Sequence, residues 1–322
     1  MTWLLTGGAG YIGAHVLRSL RDSGRDVVVL DDLSTGVARR VPGDVRLVIA
    51  DVCDSDAIAA VLTDHAITGV IHLAAKKAVG ESVERPHYYY RQNVEGAMSL
   101  TEAMVRTGVS RIVYSSSAAV YGSPVVAQVT EGTPTVPVSP YGETKLVGEW
   151  IARNLARSEG FSAVALRYFN VAGAGADDLG DAGTSNLVPK VLRAWTQGSR
   201  PQIFGDDYLT DDGTCIRDYI HVADVAEAHV AAAALTETDV AGFSAFNIAR
   251  GSGSSVREVI AAVSRAVGDD VDPEVVARRA GDPAVLVASA AHAAGGLGWV
   301  ASRDLDEMVR SAWSAWQSHP PE

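Results

Sequence analysis

The stretch Gly7-Gly8-Ala9-Gly10-Tyr11-Ile12-Gly13 lies between an apolar run at residues 3–6 and a stretch of helical periodicity at 12–23. Its spacing satisfies both GxGxxG and GxxGxxG, and such glycines let backbone N–H groups approach a pyrophosphate at the positive end of a helix dipole. A glycine-rich turn without a ligand is the plainer interpretation, but the position between a strand and a helix favours a dinucleotide site. The candidate residues are Gly7, Gly10, Tyr11, Ile12 and Gly13.

Two carboxylates, Asp31-Asp32, end the second apolar run, about 20 residues after the glycines, where a ribose-binding acid is expected. A carboxylate accepts hydrogen bonds from a free 2′-hydroxyl and repels a 2′-phosphate, so the pair favours NAD over NADP. Arg39 and Arg40 lie near enough in the chain to leave NADP open. Asp51-Val52 follows the third run, and either reaches the adenine edge or forms an exposed strand end.

Short apolar runs alternate with longer stretches of helical periodicity through the first half of the chain. The runs are at 3–6, 27–30, 45–49, 70–74, 112–116 and 163–167, and the helical stretches are at 12–23, 57–64, 94–107 and 146–157. Strands without polar alternation, each followed by a helix, are typical of a parallel sheet covered on both faces. The pattern predicts an α/β fold, a doubly wound parallel sheet of Rossmann type with a smaller C-terminal domain.

The regular alternation ends near residue 170. A Gly- and Asp-rich region covers 172–183, and the pattern then predicts helices at 187–197, 222–236, 256–267 and 305–317 and a strand at 246–249. We therefore expect residues 1–170 to form an NAD-binding domain to which 218–250 return. Residues 171–322 are expected to form mainly the substrate-binding domain.

The charge of the chain limits its partners. Among 322 residues, 27 basic and 39 acidic side chains give a net charge of −12, which repels polyanions, so we expect neither nucleic acid nor a membrane as partner. No apolar run approaches the ~18 residues that span a bilayer, and the chain enters a strand at once, without room for a signal peptide. Two distant cysteines, Cys53 and Cys215, fit a reducing, cytoplasmic location. The histidines form no HxxxH pair and predict no metal site.

A phenol and an ammonium group stand four residues apart, at Tyr141 and Lys145, on one face of a predicted helix. A phenol is a poor base at neutral pH, but a nearby Lys⁺ and a cationic nicotinamide would stabilise the phenolate and lower its pKa. Upstream, the run at 112–116 leads into Ser115-Ser116-Ser117, where a hydroxyl group could bind the same substrate oxygen. A serine turn and a surface helix are the plainer alternatives.

Together, the glycine loop, Ser117 and the Tyr141/Lys145 pair resemble the extended short-chain dehydrogenase/reductases. Five segments across nearly the whole chain are similar to one branch of that family, the UDP-glucose 4-epimerases. They are AAKKAVGES at 74–82, SSSAAVYG at 115–122, SPYGETK at 139–145, RYFNVAG at 167–173 and DDGTCIRDYIH at 211–221.

The resemblance implies roles for further residues. It adds Lys77, Asn93 and Tyr168 to the NAD site, and it assigns a UDP-sugar to a second set: Ser117, Tyr141, Asn170, Asn186, Leu187, Phe204, Arg217, Arg279 and Asp282. It also implies a homodimer through the helices around 94–107 and 141–157. An arginine suits a diphosphate and an aromatic ring suits a planar base.

The residues that follow Ser117 favour epimerisation over the other reactions of the family. Related nucleotide-sugar dehydratases carry an Asp-Glu pair after the serine, and related decarboxylases carry a Glu, whereas this chain has Ala118-Ala119. We therefore expect NAD-dependent inversion at C4 of UDP-glucose and UDP-galactose through a 4-keto sugar. Leu286, four residues after Asp282, stands where the family has a Tyr or a small residue, so N-acetylhexosamine, pentose and uronic UDP-sugars stay open. A non-catalytic NAD-sensing protein is the alternative outside enzymes.

Overall fold

The computed structural model describes residues 1–183, 185–238, 240–279 and 281–320. The strands are β1 (Thr2–Thr6), β2 (Asp26–Asp31), β3 (Arg46–Ile49), β4 (Gly69–His72), β5 (Arg111–Ser117), β6 (Ser162–Tyr168), β7 (Asn170–Ala172), β8 (Gln202–Phe204), β9 (Ile216–His221), β10 (Gly242–Ile248), β11 (Gly253–Ser255), β12 (Glu274–Val276) and β13 (Val285–Leu286). The helices are α1 (Tyr11–Asp22), α2 (Ser55–Asp64), α3 (Val79–Glu84), α4 (Pro86–Tyr89), α5 (Gly96–Thr107), α6 (Pro140–Ser158), α7 (Leu187–Thr196), α8 (Val222–Thr236), α9 (Val256–Val267), α10 (Ala291–Leu297) and α11 (Leu305–Ser318). A π-helical turn, Tyr90–Glu95, joins α4 to α5.

Seven parallel strands form the central sheet in the order β10-β6-β5-β4-β1-β2-β3. All seven residues of β6 are buried, as expected of a parallel strand with both faces covered. Side chains of α1 and α8 pack on one face, and those of α2 and α5 pack on the other. The predicted doubly wound α/β fold is confirmed. The carboxyl ends of the strands meet along one edge of the sheet, where ligands of such folds bind.

The chain leaves the central sheet after β6 and builds a smaller layer. There β9 pairs with β7, β11 and β13, while β8 pairs with β12. Their core is closed by α7, α9 and α11. The return to the central sheet starts with α8, which packs against α1, and finishes with β10 beside β6. The sequence pattern did not predict β7, β8 or β11 to β13, because runs of two or three residues carry no measurable period.

Helix α6 begins at Pro140, six residues before the start that periodicity predicts. Ser139 is its N-cap, and the Ser139 hydroxyl oxygen accepts a hydrogen bond of 3.2 Å from the backbone N–H of Gly142. Proline is favoured at the first helical position because its missing N–H would have no helical partner. The first turn therefore carries Tyr141, and Lys145 follows on the same face.

Four buried histidines predict acid sensitivity. Burial lowers the pKa of His15, His221 and His229 to about 4 and that of His72 to about 3, below the ordinary 6.5. Below pH 6.5 the unfolded chain therefore binds more protons than the folded one, and the free energy of unfolding should fall as pH drops from about 6.5 to about 4. Burial raises the pKa of Asp218 to about 6, which has the opposite sign and offsets part of the loss.

Denaturant unfolding across this pH range measures the effect. His229→Asn should make the decline shallower, whereas His87→Asn, at an exposed position, should leave it unchanged. A free energy of unfolding that stays constant from neutral pH to about pH 4 would contradict the prediction.

Candidate active site

The glycine loop connects β1 to α1 with little space for side chains. Gly7 has a φ of +72°, and a Cβ there would lie 2.7 Å from the backbone N of Ala74. A Cβ on Gly13 would lie 2.1 Å from the carbonyl oxygen of Gly7. Only glycine permits both close approaches, so the loop stays against the start of α1, whose first backbone N–H groups have no partner within the helix and can bind a phosphate.

A cavity of about 480 Å³ opens beside this loop; we call it the cofactor cavity. Of the sequence-predicted cofactor residues, those that line it are Gly7, Gly10, Tyr11, Ile12, Asp31, Asp32, Val52, Lys77, Tyr141, Lys145 and Tyr168. The residues present therefore fit a dinucleotide, since glycine amides suit a pyrophosphate and carboxylates suit ribose hydroxyls.

Three predicted cofactor residues lie outside the described lining of this cavity. Gly13 allows the helix to pack on the loop. Asp51 is exposed, and its carboxylate accepts a hydrogen bond from the backbone N–H of Cys53. Asn93 is buried and holds the loop after β4, because its amide oxygen accepts from Lys76 N at 2.8 Å while its amide nitrogen donates to Lys76 O at 3.0 Å.

Lys76 is a cavity residue that sequence reasoning missed. Its Nζ donates to the Ser34 hydroxyl at 2.6 Å and lies 3.9 Å from Asp32 Oδ2. The side chain thus joins the loop after β4 to the loop after β2, across one end of the cofactor cavity. The adjacent lysine, Lys77, was predicted from the family motif, but no sequence signal separated the two lysines.

Asp31, the predicted ribose-binding acid, is held by backbone groups. Asp31 accepts hydrogen bonds of 2.9 Å from the N–H groups of Ala9 and Leu33. Burial raises the pKa of Asp31, and these two bonds oppose the rise. Arg40, which left NADP open, lines the cavity but donates to the carbonyl oxygen of Gly180 at 2.6 Å.

Tyr141 and Lys145 project from the first turns of α6 toward the end of β5. Lys145 is buried, and its Nζ donates to the carbonyl oxygen of Ser115 at 2.8 Å. Ser117, two residues along β5, hydrogen-bonds the Tyr141 side chain. Ser115 thus contributes a backbone oxygen to the α6 pair, and Ser117 contributes a hydroxyl group.

Burial is the largest influence on the pKa of Tyr141 in this structure. Burial raises the pKa of Tyr141, and the hydrogen bond with Ser117 is what opposes the rise. The Lys145 ammonium lies 6.0 Å from the centre of the Tyr141 ring, and burial lowers the pKa of Lys145 itself to about 7. Stabilising the phenolate therefore needs further positive charge at this point.

The middle serine also contacts α6, farther along the helix. Ser116 donates to Glu149 Oε1 at 2.5 Å, and Glu149 forms a buried, two-pronged ion pair with Arg167 at 2.8 and 2.6 Å. Arg167 also donates to the hydroxyl group of Tyr121 at 2.8 Å. Sequence reasoning missed this network, which fixes α6, β5 and β6 to one another directly behind Ser115 and Ser117.

A second cavity of about 610 Å³ lies between the central sheet and the smaller layer; we call it the substrate cavity. All sequence-predicted substrate residues line it, namely Ser117, Tyr141, Asn170, Asn186, Leu187, Phe204, Arg217, Arg279 and Asp282. Arg217 pairs with Asp282 at 3.1 Å, and the Arg279 guanidinium lies 3.7 Å from the centre of the Phe204 ring.

Leu286 lies elsewhere. It is absent from the described lining of the substrate cavity and packs against the cluster that contains Ala118, Phe169 and Ala288.

The two cavities meet at Tyr141. The side chains that line both are Tyr11, Ile12, Lys77, Tyr141, Tyr168 and Ser185. A phenol group thus lies where ligands of the two cavities would touch.

Two further searches concern only the described parts of the chain. There, no helix has the length and apolar character needed to cross a membrane. The same residues include no group of three or more His, Cys, Asp or Glu side chains arranged to hold a metal ion.

Comparisons with known proteins agree with one another. A model of the NAD dependent epimerase/dehydratase family matches residues 3–249. The UDP-glucose 4-epimerase of Halalkalibacterium halodurans is 44% identical over 327 residues, which cover 99% of this chain and 97% of that protein.

Solved structures show the same likeness. That of UDP-glucose-4-epimerase from Stenotrophomonas maltophila, with bound NAD and formylated UDP-arabinopyranose, has a TM-score of 0.94 at 40% identity and covers 99% of this chain and 98% of that one. UDP-glucose 4-epimerase from Bifidobacterium longum, in complex with NAD⁺ and UDP, gives 0.92 at 37% identity and covers 100% of this chain and 99% of that one.

Proposed function

The chain belongs to the NAD dependent epimerase/dehydratase family, and on that premise we propose that it interconverts UDP-glucose and UDP-galactose by inverting C4. The observation that carries the proposal is the position of Tyr141 in the wall of both cavities. One phenol oxygen can there meet a sugar hydroxyl while the sugar carbon faces the cofactor. Residues 1–170 with 218–250 would hold NAD, and the rest of 171–322 would hold most of the UDP-sugar.

NAD, when bound, would supply the acceptor for a hydride from C4 of the sugar and the donor that restores it to the same carbon. Tyr141, as phenolate, accepts the proton of the 4-hydroxyl group, and the sugar becomes a 4-ketone. Ser117 binds the same substrate oxygen and keeps it beside the phenol. Lys145, held by the Ser115 carbonyl group, adds positive charge behind the ring, and the cationic nicotinamide supplies the further charge that the raised pKa of Tyr141 calls for.

Inversion requires the 4-keto sugar to turn its opposite face toward the cofactor and Tyr141. The UDP part is held by Arg217, Arg279 and Asp282, while the sugar end needs room to turn. Ala118 and Ala119 follow Ser117 and carry no group able to move a proton, which supports epimerisation over elimination of water. We propose the other predicted residues that line the two cavities as ligand contacts, whereas Gly13 and Asn93 act through the loops that they hold in place.

An assay across four substrates tests this function. The purified protein is incubated with UDP-galactose, UDP-N-acetylgalactosamine, UDP-arabinose and UDP-galacturonate, and the C4 epimers are separated and quantified. We expect the fastest turnover with UDP-galactose. Faster turnover of another of the four would move the assignment to that sugar, and no turnover of any would refute the epimerase assignment in favour of a non-catalytic NAD-binding role.

A homodimer and a cytoplasmic location complete the proposal. Met98 and Val105 on α5 and Trp150 on α6 are large apolar side chains that stay exposed on the two helices expected to pair with a second copy. Burial of such a surface favours association. Light scattering should give twice the chain mass of 33.7 kDa. The two free thiols, Cys53 and Cys215, suit a reducing compartment.

A further inference from the structure

The substrate cavity carries more positive than negative charge. Its described lining includes five cationic side chains and one acidic side chain: Lys77, Lys190, Arg200, Arg217, Arg279 and Asp282. An excess of one sign in a cavity concentrates ligands of the other sign. The ion pairs of these side chains show where in the cavity the excess positive charge lies.

Two of the arginines already have acidic partners. Arg217 pairs with Asp282 at 3.1 Å, and Arg200 pairs with Asp272 at 2.9 Å. Lys77 lines both cavities, so it lies at their junction rather than at the far end. The charges that remain uncompensated within the described lining, away from Tyr141, are those of Lys190 and Arg279.

These two cations line the same cavity, and the charge of one acts on the other. The pKa of Lys190 is lowered, first by burial of the amine and then by the positive charge of Arg279. Lys190 stands on the first turn of α7, directly after the predicted substrate residues Asn186 and Leu187, and Arg279 lies over the Phe204 ring. Two like charges held together cost free energy that an anion placed between them would recover.

The diphosphate of a UDP-sugar carries one negative charge on each phosphate group. The Arg217–Asp282 pair is neutral as a unit, so Arg279 supplies one matching charge and one is missing. We propose that Lys190 supplies it, as a diphosphate ligand in addition to Arg217 and Arg279 that sets the preference of the cavity for uridine diphosphates over uridine. The inference rests on the proposed function, because it takes the occupant of this cavity to be a UDP-sugar.

Titration calorimetry with UDP tests the inference on Lys190→Met and Lys190→Arg. The Met variant should bind UDP about tenfold more weakly than the parent protein, with a shallower dependence on NaCl, and the Arg variant should keep most of the affinity. The affinity for uridine, measured by competition with UDP, should not change in either. Arg193→Met, which removes the same charge from α7 outside the described cavity lining, is the matched control and should bind UDP normally.

Turnover separates a binding role from a structural one. Lys190→Met should raise KM for UDP-galactose about tenfold with kcat nearly unchanged. The inference is overturned if Lys190→Met binds UDP within about twofold of the parent protein, or if it loses uridine affinity to the same extent. A parent protein that binds UDP but epimerises none of the four sugars would refute the proposed function and leave the role of Lys190 standing. A parent protein that binds no UDP would refute both.

Discussion

Tyr141→Phe should lower kcat for UDP-galactose by about a thousandfold, since general acid–base catalysis contributes roughly 10²–10⁴ to a rate. The change removes one oxygen, the atom that would take the proton of the 4-hydroxyl group, and leaves the ring in the wall of both cavities. Affinity for UDP and retention of NAD should stay near normal. Steady-state kinetics measure kcat, and titration calorimetry measures the affinity for UDP.

Tyr90→Phe is the matched control for this variant. Tyr90 is exposed, its hydroxyl group donates to Glu143, and it lies outside the described lining of both cavities. Tyr90→Phe also removes one phenol oxygen, and it should leave kcat unchanged. If Tyr141→Phe kept kcat within about tenfold of the parent protein, a different group would have to move the proton.

Glu149→Leu should lower the free energy of unfolding by about 3–5 kcal/mol, the usual cost of leaving one partner of a buried ion pair alone. Glu149 is fully buried and its carboxylate is bound by both Arg167 and Ser116, so its loss strands a buried guanidinium group. Denaturant unfolding measures the change. Glu159→Leu, at the exposed C-terminal end of the same helix, is the matched control and should cost at most about 1 kcal/mol.

A double variant keeps the prediction testable if Glu149→Leu fails to fold. Glu149→Leu combined with Arg167→Met removes both charges and should be more stable than the single Leu variant. A double variant that is no more stable than Glu149→Leu alone would show that the lost energy comes from packing rather than from the stranded charge.

The central sheet was predictable because its strands carry long buried runs, and the glycine loop was predictable because its spacing reflects backbone contacts. The start of α6 was not predictable in this way. Ser139 and Pro140 begin the helix as its N-cap and first residue, and hydrophobic periodicity carries no information on either position. Asn93 was assigned to the cofactor by resemblance, whereas its amide holds the backbone of Lys76.

Other parts of the site depend on contacts between residues that are far apart in the chain. A single sequence does not show which of its distant residues meet. The ion pair of Glu149 with Arg167 joins residues 18 positions apart on different elements. The contact of Lys76 with Ser34 joins loops 42 residues apart. Their residue types alone were indistinguishable from solvated surface charges.

The two cavities share a wall, and this wall links the binding free energies of their ligands. Because Tyr11, Tyr141 and Tyr168 belong to both walls, an occupant of one cavity orders side chains that the other occupant must also contact. By thermodynamic reciprocity, whatever factor NAD contributes to the affinity for a UDP-sugar, the UDP-sugar contributes to the affinity for NAD. Where that factor exceeds one, each ligand strengthens the equilibrium binding of the other.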